Sequence, residues 1–154
     1  MSVVEGTPAP DFTLPAQDGS PWSLEQHRGA PVVLYFYPRD ATAGCTTQAC
    51  DVRDRWSELS AAGAVVVGIS PDGAESHQSF RADHELPQTL LVDADHAVLQ
   101  AYGAWGNKEK DGRTVQGVIR SSVVIDAAGT VLATRSPIDP VDQAQFALSS
   151  LGHG

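Results

Sequence analysis

Two cysteines, five positions apart, are the residues of this sequence best suited to chemistry. Cys45 and Cys50 are the only cysteines among the 154 residues. A disulfide that closes so short a loop adds little stability, because the stabilisation grows with the number of residues enclosed. The pair therefore points to redox chemistry or to metal binding rather than to a structural crosslink.

Cys45 is predicted to lie at the start of a helix that directly follows a buried strand. The apolar run of residues 32–37 predicts the strand, Pro38 ends it, and apolar residues at helical spacing predict a helix over residues 44–62. Thr42 is the predicted N-cap. Unpaired N–H groups and the helix dipole stabilise negative charge in a first helical turn, so this position favours a reactive thiolate.

Helix geometry separates the two cysteines. Positions i and i+5 of an intact α-helix lie about 7.5 Å apart along the axis and on different faces, which puts their Cα atoms about 9 Å apart. A disulfide needs Cα atoms within about 7 Å. Either Cys45 and Cys50 never bridge and Cys50 only packs under the sheet, or oxidation is coupled to unwinding of the helix start.

Composition and charge exclude several classes of function. The length suits one domain over residues 1–154, and the net charge of -9 disfavours binding to nucleic acid or to anionic membranes. The N-terminal residues lack the basic start and apolar core of a secretory signal, so we expect a cytoplasmic location. The five histidines are scattered and no phosphate-binding glycine motif occurs, so neither a metal nor a nucleotide cofactor is expected.

The order of predicted elements indicates an α/β protein. A hairpin around Asp18-Gly19 precedes the first buried strand, two further strand–helix units follow, and residues 103–117 are predicted to form a loop. Residues 118–126 and 130–135 then form a hairpin before a last helix that ends at Leu151. This order fits a thioredoxin-like three-layer fold with a mixed central sheet, an N-terminal β-hairpin and flanking helices, although other three-layer folds share it.

The residues around the cysteines resemble a known active site. Residues 35–50 are YFYPRDATAGCTTQAC, in which Pro38, Thr42 and Cys45 have the spacing P-x-x-x-T-x-x-C. This segment resembles the peroxiredoxin active-site motif, and Cys50 at the fifth following position resembles the peroxiredoxin Q/bacterioferritin comigratory protein subgroup. Residues 11–20 and 102–129 also resemble that subgroup, so the similarity extends over roughly residues 6–151.

The resemblance implies a role for each matching residue. Cys45 matches the peroxidatic cysteine and Cys50 the resolving cysteine. Thr42 matches the threonine that bonds the peroxide and the thiolate, and Pro38 matches the proline that shields the pocket. Arg120, in GVIRSS, matches the arginine that polarises thiolate and peroxide.

Two further positions near Cys45 differ in how well they match. Gln48 lies where the family has a Glu or Gln near the arginine. Ala43 replaces the proline of the family's TPGC, which puts in question how easily the first helical turn unwinds but not the class of reaction.

The implied activity is that of a thioredoxin-dependent thiol peroxidase. It reduces hydrogen peroxide and organic hydroperoxides through a Cys45 sulfenic acid, which Cys50 resolves as an intramolecular disulfide. The expected partners are hydroperoxides and thioredoxin, and the subgroup is commonly monomeric. Two other classes stay open on the residues alone: a thioredoxin-like copper or zinc carrier, and a general disulfide oxidoreductase, for which the C-x-x-C motif is absent.

Overall fold

Five strands form a mixed central sheet in the computed structural model, which describes residues 1–152. The sheet has the order β5–β4–β3–β8–β9, and β3, β4 and β5 run parallel while β8 and β9 are antiparallel to their neighbours. The central strands are β3 (Val32–Phe36), β4 (Val65–Ser70), β5 (Thr89–Val92), β8 (Ser121–Ile125) and β9 (Val131–Arg135). The predicted α/β class with a mixed sheet is confirmed.

Helices flank this sheet, and two small hairpins lie outside it. The helices are α1 (Ala43–Asp54), α2 (Trp56–Ala61), α3 (Ala74–His84), α4 (Ala97–Tyr102) and α5 (Gln143–Ser150). The hairpins are formed by β1 (Thr13–Pro15) with β2 (Pro21–Ser23) and by β6 (Trp105–Lys110) with β7 (Arg113–Val118). None of the helices within residues 1–152 has the length and apolar character that a membrane crossing requires.

The side chains of β3 divide the core into two parts. Leu34 and Phe36 point into one apolar cluster, whereas Val33 and Tyr35 point into the other, as strand alternation requires. The second cluster contains Cys45 and buried residues of α1 and α5. The candidate chemical site therefore lies on the face of the sheet that these two helices cover.

The predicted loop at residues 103–117 is wrong, because the segment forms the β6–β7 hairpin. Both strands are polar and largely exposed, so they lack the alternation of apolar residues that marks a half-buried strand. The turn itself had a local signal: Asp111 and Gly112 both have positive φ and connect Lys110 to its partner Arg113. Asp-Gly is a favoured pair for such two-residue turns.

Two predicted element boundaries also differ from the structure. The helix over residues 44–62 is interrupted at Arg55, whose φ of -113° leaves the helical range and separates α1 from α2. The strand expected from residue 118 begins only at Ser121, because Val118 pairs with Trp105 in the outer hairpin. Ile119 and Arg120 thus form a short connection between two sheets, which frees the Arg120 side chain to approach α1.

Candidate active site

The structure places Cys45 in the first turn of α1, as the sequence predicts. The chain leaves the C-terminal end of β3, passes through residues 37–42 and enters the helix at Ala43. Cys45 is 1% exposed and packs with the apolar residues beneath the helix. Its sulfur therefore lies where water is scarce and where the N-terminal N–H groups of α1 favour negative charge.

Arg120 supplies a full positive charge at the sulfur. Its Nη1 lies 3.5 Å from Cys45 Sγ and also donates to Gln48 Oε1 at 2.5 Å. Arg120 is 75 positions away from Cys45 along the chain, so only the tertiary fold brings the two together. Because an arginine guanidinium carries a permanent positive charge, this contact places a full charge directly beside the sulfur.

Gly44 makes room for this guanidinium, a requirement that the sequence analysis missed. A Cβ atom at position 44 would lie 3.0 Å from Arg120 Nη2 and 3.7 Å from its Cζ. The glycine precedes Cys45 and lies in the same helical turn. Because glycine has no side chain, the arginine can lie next to this position and reach the sulfur.

Thr42 and Pro38 border the same helix start, and within the described residues the hydrogen bond to the Cys45 sulfur comes from Arg120 rather than from Thr42. Thr42 is the N-cap residue of α1, yet its hydroxyl donates to the Arg39 carbonyl at 3.0 Å instead of capping the helix. The lone pairs of that hydroxyl remain able to accept from an incoming hydroxyl group. Pro38 is half-buried and lines an open groove of about 290 Å³ together with Trp105 and Val118.

Cys50 lies on the same helix, and both thiols are free. Cys50 is partly buried, whereas Cys45 is fully buried. Because α1 is continuous between them, the helical separation of about 9 Å between their Cα atoms applies. A bond between these sulfurs therefore requires at least the first turn of α1 to unwind.

A buried polar network anchors the chain just before Thr42, and sequence reasoning did not find it. Asp40 accepts hydrogen bonds from Tyr37 Oη at 2.6 Å and Ser76 Oγ at 2.8 Å, and its Oδ2 lies 2.6 Å from His77 Nδ1. The backbone N–H of Asp40 donates to Asp72 Oδ2 at 2.8 Å. These contacts fasten the segment between β3 and α1 to α3 and to the end of β4.

The Asp40 carboxylate is held ionised by this network. Burial by itself would raise the pKa of Asp40, but hydrogen bonds from His77 and Tyr37, together with the charge of His77, outweigh that effect and lower the pKa. The other ring nitrogen of His77 faces the Leu91 carbonyl at 2.8 Å. Asp40 thus acts as a fixed acceptor in the loop between β3 and α1.

Three residues of this network, Asp40, Asp72 and His77, are close enough together to be considered as metal ligands. Donor atoms of Asp40, Asp72 and His77 lie within 4.8 Å of one another. The contact oxygens already accept protein hydrogen bonds, including one from Ser70 Oγ to Asp72 Oδ2 at 2.8 Å. The arrangement is that of a satisfied structural network, in which each close oxygen already has a protein donor.

Comparisons with known proteins found similar chains. Residues 6–134 match the AhpC/TSA family. The chain is 38% identical to peroxiredoxin Bcp of Bacillus subtilis over 98% of its length and 96% of that protein, and 45% identical to peroxiredoxin Bcp of Escherichia coli over 82% of its length and 81% of that protein.

Solved structures give the same result at the level of the fold. The crystal structure of peroxidoxin BcpB from Mycobacterium tuberculosis superimposes with a TM-score of 0.86 at 34% identity, and 97% of each chain is covered. The bacterioferritin comigratory protein of Xanthomonas campestris also superimposes with a TM-score of 0.86, at 30% identity over 92% of this chain and 90% of its own. These likenesses confirm the thioredoxin-like architecture that the sequence predicts.

Adding a methyl group at Gly44 should displace Arg120 from the sulfur. In Gly44→Ala the new Cβ would crowd the guanidinium, so we expect the rate of Cys45 alkylation by iodoacetamide at neutral pH to fall about tenfold, roughly the loss of one charge-assisted hydrogen bond. The measurement uses a Cys50→Ser background, so that only Cys45 reacts. Gly73→Ala, where a Cβ meets nothing within 4 Å, is the control. An unchanged alkylation rate in Gly44→Ala would contradict the steric role.

Removing the charge of Asp40 should lower the free energy of unfolding and make that free energy depend less on pH in the acid range. The pKa of Asp40 is lower in the folded state than its usual value of 3.8, so its network stabilises the protein above that value and loses this contribution as the pH falls through the folded-state pKa. We expect Asp40→Asn to lower the free energy of unfolding at neutral pH by about 2 kcal/mol.

Urea unfolding at neutral and acid pH tests this expectation. The difference between Asp40→Asn and the wild type should shrink at acid pH, where the wild-type carboxylate also loses its charge. Asp83→Asn changes an exposed carboxylate on α3 and serves as the control. A constant difference across the pH range would show that the charge of Asp40 is not what stabilises the loop.

Proposed function

This chain belongs to the AhpC/TSA family, with Bcp-type peroxiredoxins as its relatives, and we propose that it reduces hydrogen peroxide and organic hydroperoxides with Cys45 as the attacking thiol. The observation that carries the proposal is the contact between Arg120 Nη1 and Cys45 Sγ in the first turn of α1. Alkyl peroxide reduction has been described for the Xanthomonas campestris protein, which supports an organic hydroperoxide as one substrate.

The first step transfers one oxygen atom to the sulfur. A lone pair of the Cys45 thiolate attacks the terminal oxygen of the peroxide, the O–O bond breaks, and its electron pair leaves with the other oxygen. That oxygen takes up a proton and departs as water or as an alcohol. Cys45 becomes a sulfenic acid, so the sulfur is oxidised by two electrons and the peroxide is reduced by two.

Ionisation of the thiol accounts for only a small part of the acceleration. A free thiol with a pKa of about 8.5 is about 7% ionised at pH ~7.4, so complete ionisation gains at most about 13-fold. Lower basicity also makes a thiolate less nucleophilic. The larger share must come from groups that orient the peroxide and stabilise charge on the leaving oxygen, for which Arg120, the Thr42 hydroxyl and the N–H groups of Gly44 and Cys45 are the candidates.

The second step forms a disulfide within α1. The Cys50 thiolate attacks the sulfur of the Cys45 sulfenic acid, an S–S bond forms, and hydroxide leaves and is protonated to water. The first turn of α1 unwinds to bring the sulfurs together. Because both cysteines belong to one helix, a monomer can complete this step without a second chain.

The third step returns the enzyme to its dithiol form. A dithiol reductant of the thioredoxin type attacks the Cys45–Cys50 disulfide, passes through a mixed disulfide and leaves oxidised, which restores both thiols. A reducing compartment such as the cytoplasm suits this cycle because it supplies that reductant. No bound cofactor takes part, since both electrons come from the reductant.

Cysteine variants separate the two chemical steps. We expect Cys45→Ser to lose rapid peroxide consumption, because no attacking sulfur is left. Cys50→Ser should consume about one equivalent and then stop, since its sulfenic acid cannot be resolved. Consumption is followed with and without thioredoxin, thioredoxin reductase and NADPH, and intact mass after one equivalent should show the wild type lighter by two hydrogens.

The same assays distinguish the other classes of function. Sustained thioredoxin-driven turnover by Cys50→Ser would contradict the intramolecular resolving role. Insulin reduction without peroxide consumption would instead identify a general disulfide oxidoreductase. Stoichiometric binding of copper or zinc without peroxidase activity would identify a metal carrier.

A further inference from the structure

A chain of buried hydrogen bonds extends from Arg120 into the centre of the sheet. Gln48 Nε2 donates to Gln143 Oε1 at 3.0 Å, and Gln143 Nε2 donates to Ser122 Oγ at 2.8 Å. Ser122 Oγ then donates to the Leu34 carbonyl of β3 at 2.9 Å. The side chains of Gln48, Gln143 and Ser122 belong to residues with no exposed surface.

The two ends of this chain determine the direction of every bond in it. A guanidinium can only donate, so the atom of Gln48 that faces Arg120 must be the oxygen and its NH₂ must face Gln143. Gln143 then presents its own oxygen to Gln48 and its NH₂ to Ser122. The Leu34 carbonyl can only accept, so the Ser122 hydroxyl donates its proton to this carbonyl and accepts a hydrogen bond from Gln143.

Neither the family motif nor the proposed reaction gives a role to Gln143. It is the first residue of α5 and lies 95 positions from Gln48 in sequence. Without its oxygen, the buried NH₂ of Gln48 would lose its partner, and an unsatisfied buried donor costs about 1–3 kcal/mol. The Gln48 amide would then rotate or shift to find another acceptor, and its oxygen would leave Arg120.

We propose that Gln143 is a positioning residue, which orients Gln48 and through it holds the Arg120 guanidinium against Cys45 Sγ. Its role in peroxide reduction rests on the proposed function, whereas its effect on the Cys45 thiolate does not. The hydrogen-bonded chain contains only neutral groups from Gln48 to the Leu34 carbonyl. It therefore holds Arg120 in place without a carboxylate that would compete with the thiolate for the positive charge of the guanidinium.

The test replaces Gln143 with a residue of similar shape that has no hydrogen-bond donor and only a weak acceptor. In a Cys50→Ser background, the ultraviolet absorbance of the Cys45 thiolate is followed against pH for the wild type and for Gln143→Met. We expect the midpoint of this titration to rise and the rate of the first peroxide reduction at neutral pH to fall about three- to tenfold. Ser122→Ala, one link farther away, should shift both in the same direction by less.

Two controls on α5 separate positioning from a general loss of stability. Gln145→Met makes the same substitution at an exposed position and should leave the titration midpoint unchanged. Phe146→Leu loosens the packing of α5 without touching the hydrogen-bonded chain. It should lower the denaturant midpoint while the thiolate midpoint stays in place.

A wild-type thiolate midpoint in Gln143→Met would overturn the proposal, as would an equal shift in Phe146→Leu. If Gln143→Met does not fold, Ser122→Ala provides the test. An unchanged thiolate midpoint in Ser122→Ala would then show that the chain of hydrogen bonds does not position Arg120. Peroxide consumption by the unsubstituted protein is measured separately. If it is absent while the thiolate midpoint still responds to Gln143→Met, the proposed function fails and the positioning role stands.

Discussion

The contact between the Arg120 guanidinium and the Cys45 sulfur is the interaction on which the rest of the site depends. A helix start favours a thiolate only modestly, whereas the full charge of the part-buried guanidinium lies in direct contact with a buried sulfur, where water screens it less than in solution. The contact needs a break between β7 and β8 that frees Arg120, a residue without a side chain at position 44, and an acceptor that holds the guanidinium in place. The first lies between two strands, whereas the other two, Gly44 and Gln48, belong to α1.

The proposed reaction cycle requires the same site to be both rigid and able to open. In the described structure Cys45 is packed into the core and α1 is intact, yet a bond to Cys50 requires the first turn to unwind. The fold fastens the chain on both sides of this turn. Asp40 is tied to α3 on one side, and Asp51 accepts a hydrogen bond from the Ala144 N–H at the start of α5 at 2.8 Å on the other. Burial raises the pKa of Asp51, so the desolvation of its carboxylate is not fully compensated. At Asp40, by contrast, several hydrogen-bond donors outweigh the effect of burial and lower the pKa.

Elements with strong local signals were predictable, and those without them were not. The run Val32–Phe36 is apolar throughout because the sheet is covered on both faces, and this marks a central strand. The β6–β7 hairpin escaped because its strands are charged and exposed, so no apolar periodicity revealed them. The helix interruption at Arg55 left no glycine or proline to mark it, and the apolar stripe continues through Trp56 and Leu59.

The sequence by itself determined which two cysteines are the candidates for chemistry, their place at a strand-to-helix junction and the class of fold. These properties depend on residue spacing within a single helix, strand or motif, which local periodicity records. Only the tertiary structure decided how the site is supported: Gly44 as the gap for Arg120, Gln143 behind Gln48, and His77 beneath Asp40. Such contacts join pairs of residues that are separated by between 37 and 95 positions in the sequence. They depend on the order of strands in the sheet and on the packing of helices against it. No short-range pattern in the chain encodes that order, which is why these partners were invisible before the fold was known.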